Sequence, residues 1–199
     1  MPQDAIQVSR GTGGGSRPLR ADAQHNRDRA VHVARAVFCE LGVDASMAEV
    51  ARRAGVGLST LFRRFPTKED LLLAVFSDHI AACSSAIDEA LSDPDPRHAI
   101  DILIRDVCEK QASDRALASV LISALVGDLS LDVRAHVEYG FAELISRAKA
   151  NGTLRQDFEY HDVILVLMAN AGVVAMSDSD APSNSSRTVE LMLTSFDPN

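Results

Sequence analysis

The feature that most constrains the fold is the run EVARRAGVGLSTLFRRFPTKEDLL, residues 49–72. It contains two short apolar periods of helical spacing, at 50–54 and 58–65, and Gly55 stands between them. Glycine ends helices readily because it adopts the left-handed backbone conformation, and the residue before a proline leaves the helical region. The run therefore predicts two short helices that meet at a tight turn, the second ending before Pro66.

The residues on either side of these helices look like helix starts. Ser46 and Glu49 have the spacing of a capping box, in which the serine oxygen accepts an amide proton and the glutamate reaches back to the serine amide. Thr67 and Asp70 have a similar pattern and predict the start of a longer helix that runs to about Leu91. The sequence thus predicts three helices in close succession.

Two short helices joined by a sharp glycine-containing turn form a helix-turn-helix motif, whose second helix is narrow enough to enter the major groove of DNA. Leu61 and Phe65 are expected to be buried and to anchor that helix. Arginine pairs with guanine, and hydroxyl side chains bond bases or phosphates. The predicted DNA contacts are Ser46, Gly57, Leu58, Ser59, Thr60, Phe62, Arg63, Arg64, Thr67 and Lys68. For Arg52 and Arg53, DNA contact and a solvated basic face are both open.

The charge of the chain is divided unevenly, although the net value is -8. Residues 17–68 hold ten Arg or Lys against five Asp or Glu, whereas residues 69–199 hold nine against twenty-two. A basic head joined to an acidic body is compatible with DNA binding, because only the head must meet phosphate.

The rest of the chain also favours helices. Apolar residues with helical spacing predict a first helix over about 21–41 and further helices after 98, after Asp114 and over about 130–150, with stops at Gly127 and Asn151-Gly152. Residues 1–18 lack an apolar period and predict a flexible arm. Arg17 in this arm and Arg20 beside it are either DNA contacts or part of a disordered tail. The predicted fold is all-α, with a helix-turn-helix domain at 19–65 and a second helical domain at 66–199.

The segment VILVLMANAGVVAM, residues 163–176, is apolar nearly all round. A helix of this kind must be covered on more than one face, which a monomer of this length can hardly provide. The segment therefore predicts a homodimer. Asn170 within it needs hydrogen-bond partners, which a ligand or the second subunit could supply.

Several classes of function find little support. The three cysteines are widely spaced within apolar periods, and no histidine pair has metal-ligand spacing, so neither a disulfide framework nor a metal site is expected. No phosphate loop or nucleophile motif is present, which argues against an enzyme, and no cofactor is expected. The N-terminus lacks an apolar signal segment, and 163–176 is too short to span a membrane comfortably, so the prediction is a cytoplasmic protein with no membrane partner.

The run ELGVDASMAEVARRAGVGLSTLFRRFPTKEDLLLAVF, residues 40–76, resembles the DNA-binding domain of the TetR family of bacterial transcriptional regulators. A later segment, 151–157, is similar to a turn found before the penultimate helix in that family. Phe62 and Arg64 depart from the family pattern, which commonly has Tyr at the first position and His or Tyr at the second. Phe62 has no hydroxyl to give to phosphate, which suggests a packing role, with Arg64 supplying affinity for the DNA backbone.

The resemblance implies homodimers in which the last two long helices of each chain form a four-helix interface and the middle helices enclose a small-molecule pocket. Residues on apolar faces of those helices are the pocket candidates: Phe76, His79, Cys83, Ile104, Cys108, Leu121, Phe141 and Asn170. The protein is therefore expected to be a transcriptional regulator that acts as a repressor. A small-molecule ligand would release it from its double-stranded operator DNA. The alternative is a helical small-molecule-binding protein without sequence-specific DNA binding.

Overall fold

The computed structural model describes residues 17–126 and 131–198, and side chains within 27–122 and 131–198. These residues form helices and no strand, as predicted. The helices are α1 (Arg17–Leu41), α2 (Met47–Ala54), α3 (Leu58–Arg64), α4 (Lys68–Leu91), α5 (Pro96–Ser113), α6 (Arg115–Val126), α7 (Leu131–Ala150), α8 (Tyr160–Met176) and α9 (Ala181–Thr194), with a 3-10 turn at Asp178–Asp180 before α9.

The N-terminal arm and one predicted stop fall largely outside this description. Residues 1–16 of the arm and Gly127 lie outside the described residues. Helix α1 begins at Arg17, four residues before the predicted start. Pro18 then occupies the first turn, where proline is well tolerated because the amide it lacks would have no partner inside the helix. The domain boundaries at 18/19 and 65/66 stay predictions.

The predicted helix ends after α1, α2 and α7 are confirmed. Gly42, Gly55 and Gly152 have φ values of 81°, 66° and 68°, the left-handed region that favours glycine. The capping box of α4 is complete: the Asp70 amide donates to the Thr67 hydroxyl at 3.0 Å, and the Thr67 amide donates to the Asp70 carboxylate at 3.0 Å. These signals fix where the chain turns.

The capping box predicted for α2 is only half formed. The Glu49 amide donates to the Ser46 hydroxyl at 3.2 Å, as predicted. The Glu49 carboxylate does not reach back to the Ser46 amide, because it accepts hydrogen bonds from Arg52 and Arg53 instead. Two arginines one turn further along the helix offer charged donors, which bind a carboxylate more strongly than a backbone amide does.

The core consists of two clusters of buried side chains. The first joins α1, α2 and α3 to the first half of α4 and to α6. The second joins the end of α4 to α5, α7, α8 and α9. Helix α4 thus connects the three N-terminal helices to the C-terminal bundle, and we call these two parts the head (α1–α3) and the trunk (α4–α9).

Helix α4 is long and apolar enough, by length and composition alone, to cross a membrane. A core helix of a water-soluble protein passes the same test. Leu71, Val75, Phe76, Ile80 and Ile87 of α4 are buried in the two clusters, which accounts for its apolar composition.

Helix α9 begins earlier than its apolar period suggests. The polar residues 183–186 stand before the apolar residues Val189 and Met192 in the chain and already belong to α9. Ser185 is buried because α9 packs on α5 and α8 at this point. The Ser185 hydroxyl donates a hydrogen bond to the Asn170 side-chain oxygen at 2.8 Å. A polar residue can therefore lie on the buried face of α9, because its hydroxyl has a hydrogen-bond partner inside the fold.

Candidate DNA interface and ligand cavity

The turn between α2 and α3 is held by backbone hydrogen bonds and by an arginine of α1. The Val56 amide donates to the Ala51 carbonyl at 3.0 Å, and the Leu61 amide donates to the Gly57 carbonyl at 3.0 Å. The Arg29 guanidinium donates to the Ala54 carbonyl at 2.8 Å, so it satisfies the end of α2 from the neighbouring helix. The crossing of α2 and α3 is therefore supported by α1.

Helix α3 is buried along one side only. Leu61 is 2% exposed and Phe65, directly after the helix, is 3% exposed. The Arg27 guanidinium lies over the Phe65 ring at 5.5 Å, which adds a cation–π contact to the anchor. These two side chains face inward, and the other side of α3 is exposed to solvent.

The residues predicted to contact DNA are gathered on this outer surface and beside it. Gly57, Leu58, Ser59, Thr60, Phe62, Arg63 and Arg64 are all exposed. Phe62 is 43% exposed, so it does not pack into the core as its lack of a hydroxyl had suggested. Ser46 and Thr67 are exposed at the starts of α2 and α4, and Lys68 is half-buried at the first turn of α4. The N-terminus of α4 follows α3 after only three residues, and helix N-termini favour anions such as phosphate.

Arg52 and Arg53 are engaged within the head. Both bind the Glu49 carboxylate, with Arg53 Nε at 2.7 Å, and Arg53 also pairs with Glu40 of α1. Hydrogen bonds donated by Arg52 and then Arg53 lower the pKa of Glu49 to about 2, and the hydrogen bonds that Arg53 donates to Glu40 and Glu49 raise the pKa of Arg53. Arg53 therefore joins α1 to α2, a role that the sequence pattern did not reveal.

An apolar cavity of about 40 Å³ lies within the trunk. Four of the predicted pocket residues line it, namely Cys83, Ile104, Leu121 and Phe141. Burial raises the pKa of the Cys83 thiol, so the thiol that lines the cavity is uncharged. Helices α4, α5, α6, α7 and α8 all contribute to the lining, so the cavity lies where the two core clusters meet.

The other predicted pocket residues lie outside this cavity. Phe76 is fully buried and packs beside His79, whose ring lines a separate polar cleft. Cys108 borders a groove between α5 and α9, and burial raises the pKa of its thiol to about 12. Asn170 is fully buried and bonded within the protein. The cavity therefore gathers only part of the predicted set.

Sequence reasoning missed several residues that line the cavity: Ile80, Ala86, Ile87, Leu103, Asp106, Val107, Val133, Val137, Val163 and Leu167. Most are aliphatic residues that look the same in the sequence as any core position. Asp106 is the exception, since an acidic residue on the apolar period of α5 is a visible signal. Among the described residues, no cluster of His, Cys, Asp or Glu could hold a metal ion.

The fold and the exposed α3 define a helix-turn-helix regulator with a separate helical trunk. A family model of bacterial regulatory proteins of the tetR family matches residues 30–75, and one of an SbtR-like transcriptional regulator C-terminal domain matches residues 95–196. The second match alone spans half of the chain. The protein belongs to the TetR family of transcriptional regulators.

Individual relatives agree with this assignment. An HTH-type transcriptional regulator of Mycobacterium bovis is 28% identical over 156 residues, which cover 75% of this chain and 80% of the relative. The crystal structure of a TetR regulator from Streptomyces coelicolor is 29% identical with a TM-score of 0.50, over 87% of this chain and 99% of the other. SmeT, the repressor of a Stenotrophomonas maltophilia multidrug efflux pump, shares the fold, with 17% identity and a TM-score of 0.62 over 88% of this chain and 92% of that one.

Proposed function

We propose that this regulator is a homodimeric repressor that binds a palindromic operator with its two copies of α3 in successive major grooves. The observation that carries the proposal is the orientation of α3: Leu61 and Phe65 face inward, and the predicted DNA contacts face outward. Bound near a promoter, such a dimer blocks transcription sterically. We infer a cytoplasmic location and no enzymatic activity, and the alternative of a ligand-binding protein that does not bind DNA finds no support in the relatives.

A face of α8 supports the homodimer. Leu165 and Met168 are 48% and 47% exposed, and a side chain at Gly172 would meet no atom within 4 Å. These positions recur every three or four residues, so they form one apolar stripe on the helix surface. On α9, Leu191 is 57% exposed. A second subunit that brings its own α8 and α9 against this surface would bury all of these side chains.

Release from the operator is proposed to come from a small molecule that binds in the trunk. Helix α4 begins beside α3 and lines the cavity with Ile80 and Cys83. A ligand that enlarges the cavity would move α4 and change the spacing of the two heads. Such a ligand binds the DNA-incompatible geometry more tightly and shifts the population toward it.

Substitution of both exposed arginines of α3 tests the DNA interface. We expect Arg63→Ala/Arg64→Ala to weaken binding to a duplex selected from random DNA by at least about tenfold, because a bidentate base contact contributes about 1–3 kcal/mol and the loss of a phosphate contact adds to it. Fluorescence anisotropy at several salt concentrations measures this. The wild-type affinity should fall steeply with salt, and the variant should show a shallower slope.

The control is Arg105→Ala/Arg115→Ala, which removes the same charge from exposed positions of the trunk. Its affinity for DNA should remain within about threefold of the wild type, because long-range charge is screened at physiological salt. Unchanged DNA affinity in the Arg63/Arg64 variant, or equal losses in both double variants, would overturn the assignment of α3.

A further inference from the structure

A polar cleft adjoins the apolar cavity, and Asp106 lines both. The cleft has a volume of about 530 Å³ and lies between α1 of the head and α4, α5 and α6 of the trunk. Its lining residues are Arg35, His79, Asp106, Glu109, Lys110, Ser113, Asp114 and Leu117. The cleft therefore touches both parts of the molecule, whereas the cavity is confined to the trunk.

The cavity and the cleft lie about one helical turn apart along α4 and α6. On α4 the lining passes from His79 in the cleft to Cys83 in the cavity, and on α6 from Leu117 to Leu121. Residues four apart lie on the same face of a helix, about 6 Å apart along its axis. An elongated molecule could thus place an apolar part in the cavity and a polar end in the cleft, passing Asp106.

The charges of the cleft favour a cationic end group. Asp106 is paired with Lys110 on its own helix, whereas the Glu109 carboxylate is exposed and forms no ion pair with the described residues. His79 Nδ1 is buried without a hydrogen-bond partner in the described structure, and the unprotonated nitrogen of a neutral imidazole can accept a hydrogen bond from an ammonium group. Residues 69–199 also carry a large excess of acidic residues, which attracts cations toward this part of the protein.

We propose that the effector is an amphipathic cation: its apolar chain occupies the cavity, and its ammonium-like group binds Asp106, with Glu109 and His79 beside it. The proposal rests on the proposed function, because it assigns the chemical class of the ligand. It differs from a purely apolar ligand, which would use the cavity alone, and from an anionic one, which would bind Lys110 and Arg35.

The position of the cleft explains how binding of such a ligand would affect the orientation of the head. Asp114 caps α6 by accepting hydrogen bonds from the Ala116 and Leu117 amides, at 2.9 and 3.0 Å. The same carboxylate lies 3.8 Å from the Arg35 guanidinium of α1. A cation that enters the cleft repels Arg35 and competes for its carboxylate partner. The contact between α1 and α6 is thereby weakened, which frees the head to change its orientation.

Isothermal titration calorimetry on the full chain without DNA tests the proposal with three probes that share one alkyl chain length: octylammonium, 1-octanol and octanoate. A slim chain requires the least enlargement of the cavity, whose volume is only about 40 Å³. All three probes are kept below the concentrations at which they aggregate or separate from water. We expect octylammonium to bind at least tenfold more tightly than either of the others. Equal affinities, tighter binding of octanoate, or no binding of any probe would overturn the proposal.

Matched variants locate the charge that matters. Asp106→Asn should abolish the preference for octylammonium, and Glu109→Gln should reduce it. Glu143→Gln removes the same charge from an exposed position on α7 and should preserve the preference. If Asp106→Asn fails to fold, Glu109→Gln decides the matter by itself. A preference that survives both cleft substitutions, or that Glu143→Gln removes, contradicts the assignment.

Since these titrations contain no DNA, they separate this proposal from the proposed function. Tight binding of octylammonium with no binding to selected DNA would refute the repressor and retain the site. Tight DNA binding without any preference for the cation would refute the site and retain the repressor.

Discussion

At the scale of single residues, Asn170 shows how a correct signal in the sequence can point to the wrong partner. A buried amide in an apolar run needs hydrogen bonds, which suggested a ligand or a second subunit. The structure provides them internally, since the Asn170 amide donates to Gln111 at 2.8 Å and its oxygen accepts from Ser185 at 2.8 Å. The Gln111 amide donates to the Leu167 carbonyl, so the network ties α5, α8 and α9 together.

Asn170→Ala should lower the free energy of unfolding by about 1–3 kcal/mol, because it leaves the buried Gln111 side-chain oxygen without a donor and removes the shorter of the two hydrogen bonds of the Ser185 hydroxyl. Urea denaturation followed by circular dichroism measures the change. Asn184→Ala is the control, since Asn184 is exposed and its loss should cost no more than about 0.5 kcal/mol. Similar losses in both variants would show that the network adds nothing to stability.

At the scale of helices, the packing of α4 against α7 depends on Gly140. A Cβ atom at this position would lie 2.3 Å from Cγ2 of Ile87, which is itself 2% exposed. Since Ile87 is buried and can move only toward the small cavity that it lines, the glycine permits the two helices to approach. The same contact helps to set the position of α4 next to the cavity.

Gly140→Ala should destabilise the protein even though alanine favours helix by about 1 kcal/mol over glycine. Overpacking costs about 1–3 kcal/mol, so we expect a net loss of about 1 kcal/mol in the free energy of unfolding. Ile87→Ala removes the clashing methyl group, and the double variant should therefore lose less than the sum of the two single variants. Additive losses, or a stabilised Gly140→Ala, would contradict the contact.

At the scale of the whole molecule, the distribution of exposed apolar side chains separates the surface of α8 from the rest of the trunk. Leu165, Met168 and Gly172 form a stripe on one face of α8, whereas Leu131, which is 65% exposed, lies at the start of a different helix, α7. Contiguous exposed apolar surface indicates an interaction site, and single exposed side chains do not. This contrast supplies a matched test of the homodimer.

Leu165→Glu should convert the dimer into monomers, because it places a charge in a surface that the second subunit would remove from water. Light scattering coupled to size-exclusion chromatography measures the mass, and circular dichroism checks the fold. Leu131→Glu introduces the same charge elsewhere and should leave the dimer intact. A wild-type monomer, or a dimer that tolerates Leu165→Glu, would refute this interface.

The sequence by itself determined the helical class, the turn between α2 and α3 and the outward side of α3. These follow from local chemistry: Gly55 ends α2, Thr67 and Asp70 start α4, and Leu61 and Phe65 define a buried side by their spacing. The motif at 40–76 also sufficed to identify the family, because its residues lie within a short stretch of chain.

Only the tertiary structure decided which apolar residues of the trunk line a cavity, what satisfies Asn170, and where Arg53 and Asp106 direct their charges. Phe76 and Cys83 are alike in the pattern of α4, but one is core and the other borders the cavity. The difference depends on α5, α6 and α7, which are distant in the chain. Local spacing specifies which face of a helix turns inward, and the packing of several helices specifies what that face meets.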